Sequence, residues 1–130
     1  MARTFYVDIV ESRKELTTIE KIKYKDVSDC IKLDEATKDS ELVFIPVNDI
    51  LIRIHNEKAT DTDYDNFIVV DSDGNKYVTG SKSFYNSYCD IMDELENAGV
   101  NPEEEGIKIK VYRVPSKNYK GKEFITCSLA

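Results

Sequence analysis

A chain of 130 residues with 25 acidic and 18 basic side chains carries a formal charge of −7. Its length suits one domain with one proper core, spanning 1–130, and 41% apolar residues argue against general disorder. Taken as a whole, the acidity speaks against nucleic acid or an anionic membrane as partner. The average conceals a division, however. Residues 107–130 hold Lys108, Lys110, Arg113, Lys117, Lys120 and Lys122 against one acid, Glu123, which makes this stretch +5. The first 106 residues then hold 12 basic and 24 acidic side chains, or −12. Charge asymmetry of this kind points to an interaction surface.

In chain order, Thr4–Val10 reads as a short strand, with Phe5, Val7 and Ile9 on one side. Thr17–Lys25 alternates Lys21, Lys23 and Lys25 with Glu20, Ile22 and Tyr24, which predicts a half-buried strand. Asp34–Glu41 is polar and turn-like. Glu41–Val47 is β-rich, and Pro46 places a bend, a bulge or a sheet edge there. Asp49–His55 alternates Ile50, Ile52 and Ile54 with Leu51, Arg53 and His55. Asn56–Asn66 reads as an acidic loop. Phe67–Asp71 and Lys76–Thr79 flank Asp71-Ser72-Asp73-Gly74-Asn75, a strong hairpin signal.

One long helix follows. Phe84, Tyr85, Tyr88, Ile91, Met92 and Leu95 form a single apolar stripe, with Ser81 or Ser83 as N-cap and Gly99 as the left-handed residue at its end. The chain closes with strands at Ile107–Tyr112 and Glu123–Leu129, joined by the loop Pro115–Gly121. The fold class is therefore mainly β with one long α-helix. The element order fits an OB-fold-like five-stranded barrel over 17–130, with the helix between its strands 3 and 4 and residues 1–16 as an N-terminal extension.

The cysteines Cys30, Cys89 and Cys127 contain no C-x-x-C pair, so they predict buried free thiols rather than a zinc or dithiol site. No stretch approaches the ~18–20 apolar residues that span a bilayer. No secretory signal is visible at Met1–Asp8. These readings predict a soluble, cytoplasmic protein. Asp61-Thr62-Asp63-Tyr64-Asp65 opens like a calcium loop, but Asn66 and Ser72 occupy the positions that need glycine and an acid. No cofactor, metal or catalytic constellation is expected, and the protein is read as non-enzymatic.

The basic tail carries the functional reading. Lys108, Lys110 and Tyr112 share a strand face, and Phe124 or Thr126 would stand across from them. Tyr119 lies among Lys117, Lys120 and Lys122 in the connecting loop. Rings interleaved with cations suit single-stranded nucleic acid, because bases stack on the rings while the cations follow the phosphates. Arg53, Tyr77 and Lys82 come from segments expected beside this face, and Arg113 joins the cations.

The segments Tyr77-Val78-Thr79-Gly80-Ser81-Lys82-Ser83-Phe84 and Ser116-Lys117-Asn118-Tyr119-Lys120-Gly121-Lys122-Glu123-Phe124 resemble small single-stranded-DNA-binding-like proteins of phages and mobile elements in low-GC Gram-positive bacteria. The resemblance covers roughly Asp49 to the C-terminus. It implies an OB-type fold and single-stranded DNA binding in replication, recombination or transfer. It nominates Thr79, Ser81 and Lys82 in the first motif and Lys117, Tyr119, Lys120 and Lys122 in the second. The chain departs from the family pattern by ending in a strand rather than an acidic tail, and by lacking tryptophan.

The expectation is sequence-tolerant binding of single-stranded DNA through Arg53, Tyr77, Lys82, Lys108, Lys110, Tyr112, Arg113, Lys117, Tyr119, Lys120, Lys122 and Phe124. The alternative is an acidic protein-interaction module or DNA mimic that binds a host or phage protein. Asp61, Asp63 and Asp65 together with Glu103, Glu104 and Glu105 would then form its surface. An exposed sheet edge would also support a homo-oligomer.

Overall fold

The computed structural model describes residues 3–130. In chain order the elements are β1 (Phe5–Ser12), α1 (Thr18–Lys25), β2 (Ile31–Lys32), α2 (Leu33–Ala36), β3 (Leu42–Phe44), β4 (Pro46–Asn56), β5 (Asp63–Asp71), β6 (Lys76–Thr79), α3 (Lys82–Asn97), α4 (Pro102–Glu105), β7 (Ile109–Pro115) and β8 (Glu123–Leu129). The architecture is mainly β, with two open sheets. None of the helices among the described residues is long and apolar enough to cross a membrane.

The period-two pattern of Ile50, Ile52 and Ile54 makes β4 the longest strand. It pairs with β1 on one side and β5 on the other, both antiparallel. The first sheet runs β1-β4-β5-β6-β2, and the second runs β3-β7-β8. The sheets are joined where β3 runs through Ile45 into β4. There the ladder slips between Pro46 and Asn48, the irregularity that proline imposes on a strand.

Each face of the five-stranded sheet buries its own cluster. Ile50, Ile52, Ile54, Ile68 and Val7 lie on one face, with Leu16, Tyr24 and Val27 packed against them. Val69 and Tyr77 lie on the other, packed with Phe84, Tyr88 and Met92 of α3 and with Phe44, Ile109, Val111, Ile125 and Cys127 of the second sheet. The apolar stripe of α3 thus serves both sheets. Its start is capped by the Ser81 hydroxyl, which accepts from the Phe84 amide. Gly99 takes a φ of 73° just past its end, where a side chain would be strained.

Several expectations need correction. The expected closed five-stranded barrel is absent. β1 and β2 end the first sheet, and α3 lies along β8, so the two sheets do not join into a cylinder. The helix expected between barrel strands 3 and 4 instead follows β6 of one sheet and leads through α4 into β7 of the other. Within the stretch expected as an N-terminal extension, β1 pairs with β4 along Phe5–Ser12 and is a full member of the first sheet. Thr17–Lys25 is not a strand. The Thr17 hydroxyl accepts from the Glu20 amide while the Glu20 carboxylate accepts from the Thr17 amide, a capping box that starts α1. The acidic loop is also shorter than expected, since β5 begins at Asp63 and pairs it with His55.

The Asp71–Asn75 turn forms as its sequence predicts. Gly74 adopts a φ of 85°. The buried Asp71 carboxylate accepts from the Asp73 and Asn75 amides at 3.0 and 2.8 Å and from the Tyr77 hydroxyl at 3.0 Å. Burial and the neighbouring Asp71 charge push the Tyr77 phenol up to about 12.

Candidate nucleic-acid interface

Strands β7 and β8 form an antiparallel hairpin in which side chains alternate between two faces. Ile109, Val111, Ile125 and Cys127 point into the core. Burial pushes the Cys127 thiol up to about 12, so it stays protonated at neutral pH. The opposite face carries Lys110, Tyr112 and Val114 from β7. Across the ladder, Lys110 meets Ser128, Tyr112 meets Thr126 and Val114 meets Phe124. β3 adds Val43 beside Lys110. The ammonium of Lys110 sits 5.2 Å from the centre of the Tyr112 ring.

This face is partly open. Phe124 is 40% exposed, Val43 is exposed, and Tyr112 is half-buried. Thr126 is engaged, because its hydroxyl donates to Ser87 of α3 at 3.2 Å. The Ser83 hydroxyl donates to the Ile125 carbonyl at 3.0 Å, so the first turn of α3 lies against β8. Lys82, exposed on that turn, adjoins Ser83 in the chain.

The loop between the strands is closed by the Ser116 amide donating to the Lys122 carbonyl at 2.8 Å. Gly121 takes a φ of 82° within it. Lys117, Tyr119, Lys120 and Lys122 are all exposed, Tyr119 at 65%. The Lys122 ammonium lies 5.7 Å from the centre of the Tyr119 ring. Lys108, just before β7, is exposed as well. Among the described residues, none of Lys82, Lys108, Lys110, Lys117, Lys120 and Lys122 forms a salt bridge. Acidic groups border one side, where Tyr112 shares a shallow cleft of about 230 Å³ with Asp39, Glu41 and Glu123.

Three expected site residues lie elsewhere. Tyr77 is 5% exposed and stacks on Phe44 in the core, its hydroxyl spent on Asp71. Arg53 stands on the first sheet, where it makes two bonds to Asp65, its cross-strand partner. Arg113 is on the core-facing side of β7, where it donates to the Asp34 carbonyl and the Thr37 hydroxyl. Thr79 is buried and accepts from the Ser81 amide. Thr79 and Ser81 therefore shape the helix start rather than a surface.

The two acidic segments do not merge. The Asp63 carboxylate accepts from His55 Nδ1 at 2.8 Å near the end of β4, whereas α4 packs through Pro102 beside Val47 at its start. The intervening strand spans about 26 Å at ~3.3 Å per residue.

Sequence reasoning missed Val43, Val114, Pro115, Ser83 and Asn118, which the fold brings to the same hairpin. The alternation of Val114 with Tyr112 is a signal for Val114, and Ser83 and Asn118 stand inside the two segments that carry the resemblance, whereas nothing local marks Val43.

Compared with family models, curated proteins and solved structures, this chain matches none.

Proposed function

We propose that this protein binds single-stranded DNA, without catalysis, on the outer face of the β7–β8 hairpin and its loop. The observation that carries the reading is one of charge. Six lysines that form no salt bridge among the described residues are spread along the β7–β8 hairpin, its loop and the adjoining first turn of α3, with Tyr112, Tyr119 and Phe124 between them, while the rest of the chain is acidic. Unpaired cations are free to exchange small counterions for phosphates, and exposed rings offer stacking surfaces to any base. A single strand presents both groups at once. A duplex hides its bases, and the acidic body repels a second strand.

The resemblance of the 77–84 and 116–124 segments to single-stranded-DNA-binding-like proteins supports the same reading. It extends the proposal to cytoplasmic DNA in replication, recombination or transfer of a phage or mobile element.

Titrating labelled oligo(dT) at low and physiological salt tests it. With four to six phosphates engaged, log affinity should fall with log salt at a slope of about −3 to −4. A folded protein that shows no binding at low salt overturns the proposal.

A further inference from the structure

Where the hairpin loop meets the start of α3 there is a cleft of about 410 Å³, lined by Ser83, Val114, Pro115, Ser116, Lys117, Asn118 and Phe124. Its walls are apolar and one of them is aromatic. Val114 and Phe124 are cross-strand partners on the open face, and Pro115 continues the same wall. Its rim is polar. The Asn118 carboxamide makes no hydrogen bond among the described residues, so it offers both a donor and an acceptor. Among the described residues no carboxylate lines the cleft, and Lys117 stands on its edge. Lys82, exposed, precedes Ser83 on the first turn of α3, outside the lining of the cleft.

We infer that this cleft takes one nucleobase of the bound strand. Phe124 supplies the stacking face and Asn118 reads the base edge, while Lys117 and Lys82 hold the phosphates on either side. A flat apolar slot alone would suit many ligands. The cation at its edge, Lys117, and the exposed Lys82 on the neighbouring turn of α3 add a requirement for anions that selects a nucleotide, whose ring is apolar on its faces, polar on its edge and flanked by phosphates. A carboxamide pairs with donor–acceptor edges of bases in the same way in other settings. The inference rests on the single-strand reading above, and it separates this pocket from the flatter Tyr112 and Tyr119 surfaces, which discriminate nothing but a ring.

The test compares two labelled strands of equal length: oligo(dT), and one whose sugars carry no base. Phe124→Leu keeps the bulk of the side chain but removes the stacking face. Asn118→Ala alters only the loop. Both variants should melt with the parent. Phe124→Leu should weaken oligo(dT) binding about tenfold and Asn118→Ala several-fold, while both leave the abasic strand unchanged. Equal weakening of both strands, or no weakening of oligo(dT), overturns the base pocket and leaves the single-strand reading standing. If the parent binds neither strand, the single-strand reading falls and the pocket falls with it.

Discussion

Three cations of the acidic body, Arg13, Arg53 and Lys76, and the lysines of the C-terminal hairpin live in opposite circumstances. Arg13 is only 15% exposed, and three carboxylates hold it: Asp49 at 2.6 Å, Glu96 at 2.8 Å and Asp93 at 2.9 Å. Arg53 is bonded to Asp65, and Lys76 lies 2.6 Å from Asp29. Each of these pairs ties one element to another, and Arg13 joins the end of β1 to β4 and α3. The hairpin lysines, in contrast, form no salt bridge among the described residues. A cation that meets a carboxylate at home is a fastener, whereas a cation without one remains available to a ligand's anion. Charge count alone cannot separate the two groups, since both are simply basic residues.

The contrast breaks most sharply at Arg13. Its guanidinium compensates Asp49, which is 5% exposed and whose carboxyl is pushed up by burial against the opposing pull of Arg13. Arg13→Gln leaves that carboxylate uncompensated and should cost about 3 kcal/mol. Urea denaturation measures this directly. A loss below about 0.5 kcal/mol would show that Arg13 is no more a fastener than a surface lysine.

A second test concerns protons rather than side chains. Cys127 and Tyr77 are both raised to about 12 in the folded state, from ordinary values of 9.0 and 10.0. The unfolded chain releases these protons first, so the native state binds more of them in between. Stability should therefore be fully present below pH 9 and fall as pH rises from about 9 to 12. Urea midpoints across that range should show the decline, and Tyr77→Phe should flatten its upper part.

The smallest expected effect on stability is the most informative about the hairpin. Lys117→Gln combined with Lys120→Gln should shift stability by less than about 0.5 kcal/mol. The same pair should reduce the salt slope of oligo(dT) binding by about 1.4, at ~0.7 per lost phosphate contact. A pair that destabilises the fold while leaving the slope unchanged would reverse the assignment of the two cation classes.

Much of the local structure is legible in particular residues. The Asp71–Asn75 turn, the apolar stripe of α3, the bend at Pro46 and the alternation of the last two strands all follow from short-range chemistry. So does the basic, aromatic character of the hairpin. The misreading of Thr17–Lys25 has an equally local cause, because alternating lysines suggest a strand while Thr17 and Glu20 supply a helix cap. There the hydrogen-bonded cap prevailed over a pattern that buries no apolar face.

Which side chains survive as a surface depends on partners far away in the chain. Tyr77, Arg53 and Arg113 carry the same chemistry as Tyr119 and the hairpin lysines. They are withdrawn by Asp71 and Phe44, by Asp65, and by Asp34 and Thr37 respectively. Sequence by itself determined a β-rich chain with a strong helix and a basic, aromatic end, since propensity, periodicity and charge are properties of neighbouring residues. Tertiary structure alone decided that the strands form two open sheets, because sheet closure depends on which distant edges meet. It also decided which cations are fasteners, because pairing is settled by what lies across the ladder or on the facing helix, not by what lies beside the residue in the chain.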